Sequence, residues 1–259
     1  MIISRNSSAH NTAMFGIIKA MDKSVTLMVP VYRTATLAET LVRALPGFRA
    51  AAESAGWRFE GCIVVDDGSP NGDEIAEAVS RAKDDGVRLM RLGGNRGKGF
   101  AVKTGALAAK GAYVLMSDCD MSAPLEEFTK LAKAAERDPA AAMVCGSRRG
   151  LARGGGRPLS RRILSAVFAA LARCAGTGPV RDPQCGFKLF RMEAMRPMFE
   201  ALRTERFAFD VELIRRARRA GLRVAEVPVR WHGGKRSTLH VISDGARMLF
   251  DLVRIAFMK

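Results

Sequence analysis

The sequence predicts a doubly wound α/β fold, in which helices cover both faces of one sheet whose strands pair in parallel. Over residues 24–145, short apolar runs alternate with segments of helical periodicity at intervals of about 20–30 residues. This alternation is typical of strands joined by right-handed helical crossovers. The chain of 259 residues is 48% hydrophobic and shows no internal repeat, which fits one large globular domain.

Five strands are predicted in the first 145 residues, because each is a short apolar or β-branched run. They span residues 25–31, 59–65, 87–92, 112–116 and 141–145. The segments between them have the apolar spacing of helices and span residues 36–55, 73–83, 98–110 and 124–137. Pro46 is expected to break or kink the first helix, whereas Pro124 lies in a first turn, where proline is tolerated.

The chain changes character after Gly146. An Arg/Gly-rich loop over 147–158 has no periodicity, and loops of this length are often functional. The elements predicted beyond it are a helix at 160–175, a short strand within 181–191, a helix at 209–220, an edge strand at 223–231 and a helix at 241–259. The apolar stripe of the last helix fits either a cover for the core or a helix lying on a lipid surface.

Basic residues are concentrated in the second half of the chain. The whole chain carries 42 Lys plus Arg and 26 Asp plus Glu, a formal net charge of +16. Residues 1–145 hold 18 basic and 17 acidic residues, whereas residues 146–259 hold 24 basic and 9 acidic ones, a net charge of +15. This asymmetry predicts an anionic partner for the second half: nucleic acid, acidic lipid head groups or a phosphorylated substrate.

Cysteine usage and hydropathy indicate an intracellular protein. The five cysteines are an odd number without a Cys-x-x-Cys spacing, so buried free thiols are expected and a zinc site is not. Residues 1–23 show no secretory signal and are expected to form a loosely held arm. No apolar run reaches the length of about 20 residues that a membrane-spanning helix needs.

Acidic residues follow two of the predicted strands at the point where each strand ends. Asp66 and Asp67 follow the second strand, and Asp118 and Asp120 follow the fourth. In doubly wound sheets, the carboxyl ends of the strands line the crevice that binds ligands. Close carboxylates favour a hard divalent cation such as Mg²⁺ or Mn²⁺, usually together with a phosphate. This edge therefore predicts a nucleotide site, to which Tyr32 adds an aromatic surface for a base.

A glycine-rich segment at 93–99 precedes the third predicted helix. It is not a P-loop, because Lys98 is followed by Gly99 and not by Ser or Thr. Its lysine and backbone amides can attract phosphate at a helix N-terminus. A flexible strand-to-helix turn explains the glycines equally well.

Taken in order, these motifs resemble those of the family 2 glycosyltransferases, which have a Rossmann-like fold called GT-A, and this resemblance implies a doubly wound mixed sheet. The matching segments in the first half are Val-Pro-Val-Tyr (29–32), Val-Val-Asp-Asp-Gly-Ser (64–69), Asn-Arg-Gly-Lys-Gly (95–99) and Asp-Cys-Asp (118–120). Segments 182–190, 207–213 and 227–231 are similar to those of the polyprenyl-phosphate glycosyltransferases, especially the dolichyl-phosphate β-glucosyltransferase branch. The resemblance covers roughly residues 24–258.

The resemblance implies an inverting, metal-dependent glycosyltransferase that moves a hexose from a nucleotide sugar to polyprenyl or dolichyl phosphate. UDP-glucose is the favoured donor, with GDP-mannose as the other candidate. One GT-A domain is implied over 24–259, with a nucleotide-sugar half at 24–145 and an acceptor half, facing the membrane, at 146–259. The protein is expected to lie peripherally on the cytoplasmic face of a membrane and to bind no nucleic acid.

The resemblance also implies a set of site residues. The nucleotide sugar is expected to contact Pro30, Tyr32, Val64, Asp66, Asp67, Lys98, Asp118, Cys119 and Asp120, with Mg²⁺ or Mn²⁺ at Asp118 and Asp120. The acceptor and the phosphates are expected at Arg148, Gln184, Cys185, Gly186, Glu212, Lys235 and Arg236. Asp210 and Arg148 are the expected catalytic residues.

Other functions fit parts of the sequence. A glycan or small-molecule hydroxyl acceptor would need a carboxylate base, and Asp210 is the candidate. A nucleic-acid-binding protein would use the basic half, but this function leaves the acidic strand ends unexplained. In the family that this sequence resembles, Asn-Glu usually follows the tyrosine that matches Tyr32. Here Arg33 and Thr34 follow it, so a relative that binds the nucleotide sugar without catalysis stays an alternative.

Overall fold

The computed structural model describes residues 21–34, 37–81, 86–148, 167–232 and 241–258. Within these ranges, seven strands form one sheet. The strands are β1 (Ser24–Val31), β2 (Arg58–Asp66), β3 (Val87–Arg91), β4 (Tyr113–Ser117), β5 (Ala141–Ser147), β6 (Phe187–Arg191) and β7 (Arg223–Pro228). Each strand overlaps a run predicted from the sequence, and β7 lies at the sheet edge as expected.

The described helices alternate with these strands. They are α1 (Leu37–Ser54), α2 (Gly72–Arg81), α3 (Lys98–Ala108), α4 (Phe128–Arg137), α5 (Met192–Glu200), α6 (Phe209–Arg219) and α7 (Val241–Phe257). A 3₁₀ turn, Leu125–Glu127, precedes α4, and helical residues 167–172 run into a π-helical turn, Arg173–Thr177. The predicted loop at 147–158 lies largely outside the described residues.

The strand order is β3-β2-β1-β4-β6-β5-β7. Neighbouring strands are parallel except for β6, which runs antiparallel to both β4 and β5. From β1, strands β2 and β3 are added on one side of the sheet, and β4 and the later strands are added on the other side. The direction in which strands are added therefore reverses between β1 and β4. This mixed, doubly wound sheet confirms the predicted fold class, and such a reversal is the place where ligands bind.

Apolar residues on the two faces of the sheet form separate cores. Along β1, Leu27 and Val29 pack in the core with α1, α2 and α4, whereas Met28 packs in the core with α3, α5 and α6. All three side chains are fully buried. Because side chains alternate along a strand, both faces must be covered, and this covering makes the sheet edge a rigid platform.

Two helices modify the sequence-based predictions. The break or kink expected at Pro46 is not a break, because α1 continues through this residue with Leu45 and Phe48 buried around it. In α7, Leu252 and Ile255 are buried, so part of the helix covers the core. No helix in the described ranges is both long and apolar enough to cross a membrane.

The cysteines are free, as predicted. Cys62, Cys145 and Cys185 are buried in or beside the sheet, Cys119 is partly exposed and Cys174 is exposed. Burial raises the pKa of the Cys185 thiol to about 12, so this side chain is a neutral, apolar group at pH 7.

Candidate active site

Five neighbouring strands bring the predicted site residues to one edge of the sheet. The carboxyl ends of β1, β2, β4 and β5 lie at this edge because these strands point the same way. Since β6 is antiparallel, the residues before it, 182–186, arrive at the same edge. Segments far apart in the sequence are thus brought together by the topology, and the predicted convergence extends to residues from the second half.

The Asp67 carboxylate holds the glycine-rich segment in place. Its Oδ1 accepts a hydrogen bond from the Arg96 amide at 2.9 Å, and its Oδ2 accepts bonds from the Gly97 amide at 2.7 Å and from Asn95 Nδ2 at 2.9 Å. Gly68 has a φ of +67°, and a β-carbon there would lie 2.3 Å from the backbone of Gly94. Asp67 therefore positions the loop that leads into α3, and its oxygens are occupied by the protein.

Asp66 is buried and keeps one oxygen without a hydrogen bond in the described part of the chain. Its Oδ1 accepts a bond from the Ser69 amide at 3.0 Å, while Oδ2 has only the guanidinium of Arg91, at 3.7 Å. Buried polar atoms in native structures are normally paired, so an unpaired acceptor at this edge fits a ligand contact.

The β1 side of this site is formed by the loop after Val31. Pro30 is buried and pairs with Val65, and Tyr32 is partly exposed. Arg33 has a φ of +55°, and its amide donates to Ser69 Oγ at 2.8 Å, which joins this loop to the loop after β2. The side chain of Val64 is fully buried in the core, where it supports the strand end from below.

Asp118 is held between a lysine and a glycine. Lys98 Nζ, at the start of α3, lies 2.5 Å from Asp118 Oδ1, and both side chains are about one-quarter exposed. The Asp118 amide donates to Gly186 O at 2.9 Å. A β-carbon at Gly186 would lie 1.9 Å from Asp118 Oδ2, so only glycine leaves room for this carboxylate. The predicted residues Lys98, Asp118 and Gly186 therefore form one contact group.

Asp120 is the more exposed of the two acids on this loop. Its Oδ1 accepts a hydrogen bond from the Ser122 amide at 2.9 Å, in a turn that places Met121 at a φ of +47°. Cys119 lies between the acids and is partly exposed, with its Sγ 3.7 Å from Thr34 Oγ1. The loop thus presents the Asp120 carboxylate outward.

The donor atoms of this loop suit a hard divalent cation that also has a phosphate ligand. Carboxylate oxygens are the preferred ligands of Mg²⁺ and Mn²⁺. No group of three or more potential metal-ligating side chains occurs among the described residues. Asp118 already has the Lys98 ammonium as its counter-ion, which leaves Asp120 as the better ligand. A cation here would take its remaining ligands from a diphosphate and water.

A buried ion pair that the sequence reasoning missed lies beneath these residues. Lys188 of β6 is fully buried, and its Nζ lies 2.8 Å from Asp210 Oδ1 at the start of α6. The same ammonium donates to Cys185 O. Burial raises the pKa of Asp210, although Lys188 and then Lys98 act in the opposite direction. The available signal was a lysine within the apolar run Gly-Phe-Lys-Leu-Phe, where a charge is unusual.

Arg148 follows β5 and is fixed by Asp182. The carboxylate accepts bonds from the Arg148 amide at 2.9 Å, from Nε at 2.8 Å and from the terminal guanidinium nitrogen at 2.5 Å. The guanidinium carbon lies 5.4 Å from the centre of the Trp231 ring. Although burial alone would raise the pKa of Asp182, Arg148 lowers it below its ordinary value. This bidentate pair fixes the guanidinium of Arg148 at the site edge, with its charge balanced by Asp182.

The segment after β7 is tied to the Asp120 loop. Buried Glu127 accepts bonds from the Arg230 amide at 3.0 Å and from Arg230 Nε at 2.5 Å, and the His232 amide donates to Ser122 O at 2.7 Å. Burial alone would raise the pKa of Glu127, but the bonds from Lys130 and Arg230 bring it below its ordinary value. This anchor places Trp231 beside Arg148.

The remaining predicted residues have different outcomes. Gln184 is partly exposed before β6, and Cys185 is buried beneath it. Glu212 is 1% exposed, and its oxygens accept bonds from the amides of Arg203 and Thr204 and from Arg216 Nε. It therefore fixes a neighbouring loop, and both of its oxygens are occupied by the protein. Lys235 and Arg236 lie outside the described residues.

Known proteins match this chain along most of its length. The sequence model of Glycosyl transferase family 2 matches residues 26–199. A dolichyl-phosphate β-glucosyltransferase from Trichomonas vaginalis is 36% identical over 240 residues, which cover 89% of this chain and 70% of that protein. The enzyme of the same name from Dictyostelium discoideum is 35% identical over 204 residues, covering 75% and 62%. The chain thus spans about two thirds of the length of these relatives.

Two solved structures share the fold. A glucosyl-3-phosphoglycerate synthase from Mycobacterium tuberculosis, in complex with phosphoglyceric acid, has a TM-score of 0.67 at 19% identity, covering 92% of this chain and 81% of that one. A mannosyltransferase from Pyrobaculum calidifontis, in complex with GDP-Man and Mn²⁺, has a TM-score of 0.58 at 20% identity, covering 82% and 58%. The family match over residues 26–199, together with relatives above 30% identity, shows that this chain belongs to glycosyl transferase family 2.

Proposed function

We propose that this chain transfers a hexose from a nucleotide sugar to the phosphate of a polyprenyl or dolichyl lipid, with inversion at the anomeric carbon. UDP-glucose is the favoured donor, and GDP-mannose is the second candidate donor. The observation that carries the proposal is the single sheet edge where the Asp118–Lys98 contact, exposed Asp120 and the Arg148–Asp182 pair meet. The relatives named dolichyl-phosphate β-glucosyltransferases support the choice of acceptor.

The nucleoside is proposed to bind between the loops after β1 and β2. Tyr32 offers a partly exposed ring for stacking against a base. The Oδ2 atom of Asp66, which accepts no hydrogen bond among the described residues, is proposed to accept the ring N–H that both uracil and guanine carry. These two contacts explain recognition of a nucleotide and fit both donors, while the relatives' names favour glucose.

Asp120 and the diphosphate of the donor are proposed to hold Mg²⁺ or Mn²⁺. Mn²⁺ accompanies GDP-Man and UDP-glucose in structures of two neighbours with this fold. When bound, the cation neutralises charge that develops on the leaving diphosphate. The ammonium of Lys98 and the guanidinium of Arg148, each paired with a carboxylate of the chain, are proposed to bind the same phosphates.

A lipid phosphate suits this site better than a hydroxyl acceptor. Phosphate is already anionic at pH 7, so its oxygen attacks the anomeric carbon without a general base while the bond to the diphosphate breaks. Asp210, the candidate base, is 3% exposed and is paired with Lys188. We therefore propose that Asp210 sets the electrostatics beneath the site and does not accept a proton from the substrate.

Transfer to lipid tests this proposal directly. The purified chain is incubated with polyprenyl phosphate, Mn²⁺ and radiolabelled UDP-glucose or GDP-mannose, followed by extraction into organic solvent. Label is expected in the organic phase, and it should be lost with a chelator or in Asp120→Ala. Glu77→Ala, which removes an exposed acid on α2, is the matched control. Label that appears only in a water-soluble product would contradict the lipid acceptor, and unchanged turnover by Asp120→Ala would contradict the metal assignment.

A further inference from the structure

The large apolar side chains that are exposed in the described ranges are confined to two neighbouring elements. We call these residues the apolar face: Val167, Leu171, Leu249, Phe250, Val253 and Phe257. Two lie one turn apart in the helical segment 167–172, and four lie on one side of α7. Phe250 and Phe257 are 71% and 83% exposed. Contiguous apolar surface of this kind marks a binding site on a folded protein.

The apolar face rests on a fixed base. Leu252 and Ile255, on the opposite side of α7, are buried against Ala172 and Ala175 in a small separate core. From α6, Arg215 donates to Ala175 O and Ala256 O, each at 3.0 Å. These bonds tie both elements to the rest of the protein, so the exposed rings are presented by ordered helices.

Arginines border the apolar face on the side of the active site. Arg206 and Arg247, with Phe250 and Asp251, line a surface cavity of about 450 Å³. Asp251 is paired with Arg254 at 3.2 Å, so the net charge of this rim is positive. The segment that carries Arg206 packs on the glycine-rich loop, because a β-carbon at Gly97 would lie 2.6 Å from Glu205 O.

We infer that the apolar face docks onto the surface of an anionic lipid bilayer. Phe250 and Phe257 enter the boundary of the acyl chains, and Arg206 and Arg247 meet the head groups. Helices with exposed aromatic and aliphatic residues beside basic ones bind membranes in this way. Charge complementarity favours this occupant, because residues 146–259 carry a net charge of +15. The inference deepens the proposed function, since it brings the site to a lipid acceptor, but the binding itself needs no turnover.

Vesicle flotation tests the docking surface. The full chain is mixed with phosphatidylcholine vesicles, with or without phosphatidylglycerol, and the bound fraction is measured at low and high salt. Binding is expected only with the anionic lipid and should weaken with salt. Phe250→Ser combined with Phe257→Ser should reduce binding by about tenfold or more, and Arg247→Gln by about fivefold. Arg81→Gln, an exposed arginine on α2, is the matched control and should bind unchanged.

Three results would overturn the inference. The first is that the wild-type chain does not float with anionic vesicles. The second is that the double serine variant floats as well as the wild type. The third is that the wild type forms concentration-dependent dimers, which the double variant does not form, and binds no vesicles. Light scattering after gel filtration detects the last case. If vesicles bind but no sugar reaches polyprenyl phosphate, the proposed acceptor fails and the docking surface stands. If sugar is transferred to polyprenyl phosphate in detergent while vesicles do not bind, the docking surface fails and the proposed acceptor stands.

Discussion

The buried Lys188–Asp210 pair gives the sharpest prediction for stability. Lys188→Met keeps most of the side-chain volume but leaves the Asp210 carboxylate buried without its counter-ion, which lies at 2.8 Å in the native protein. Removing one partner of a buried pair costs about 3–5 kcal/mol, because the remaining charge is uncompensated. Asp210→Asn should cost a similar amount by stranding the ammonium. This loss is a large part of the free energy of unfolding of a typical domain.

The double variant Lys188→Met/Asp210→Asn should recover most of this loss. With both charges removed, the free energy of unfolding should lie within about 2 kcal/mol of the wild-type value, so the coupling energy should be about 4 kcal/mol or more. Urea denaturation followed by the fluorescence of buried Trp57 measures all four proteins. Lys103→Met is the control, because this lysine donates to two backbone carbonyls near the surface.

Additive single losses in this cycle, within about 0.5 kcal/mol, would refute the reasoning. A second check uses pH. In Lys188→Met the pKa of Asp210, already raised by burial, should rise further because its counter-ion is gone. A raised carboxyl pKa costs stability above the unfolded pKa of about 3.9, so the deficit of this variant should shrink as the pH falls from 7 towards 4. A deficit that is constant with pH would contradict an ionised Asp210.

Two further changes test the site edge and its anchor. Gly186→Ala should force the Asp118 carboxylate to move and lower sugar transfer by about tenfold or more. Gly93→Ala is the control and should leave transfer unchanged, because its β-carbon would meet no described atom within 4 Å. Equal activities of the two variants would contradict the close contact at Gly186. Glu127→Gln should lower the melting temperature at pH 7, because the carboxylate has a depressed pKa and loses its bonds to Arg230 only as the pH falls below about 4. Thermal scans should therefore show a gap that narrows at low pH, and a gap of constant size would argue against the ion pair.

The sheet was predictable where the sequence repeats one pattern. Apolar runs bounded by turn residues located the strands, because burial on both faces requires continuous apolar sequence. The antiparallel direction of β6 was not predictable, since the run Phe187–Arg191 reads the same whichever way the strand lies. Its orientation is decided by pairing with β4 and β5, which are distant in sequence.

The candidate site was predictable where a strand end fixes a position, and not where a tertiary contact decides. Asp118 and Asp120 lie on a loop at the expected edge, but the contact with Lys98 depends on the packing of α3. Asp210 and Glu212 were both expected at the site because segment 207–213 resembles the family. On a helix, residues two apart are separated by about 200°, so one faces Lys188 and the other binds the loop at 203–204.

The reversed strand β6 has a consequence for how the molecule assembles during synthesis. Because β6 separates β4 from β5, these two strands have no direct pairing in the sheet. A chain released only as far as residue 145 would hold β4 as an open edge and β5 without a neighbour, which invites wrong pairing. The sheet becomes continuous only when residues 187–191 have left the ribosome and inserted between β4 and β5. The nucleotide-sugar half, residues 24–145, should therefore not fold as an independent fragment, and expressing it alone should yield an insoluble product.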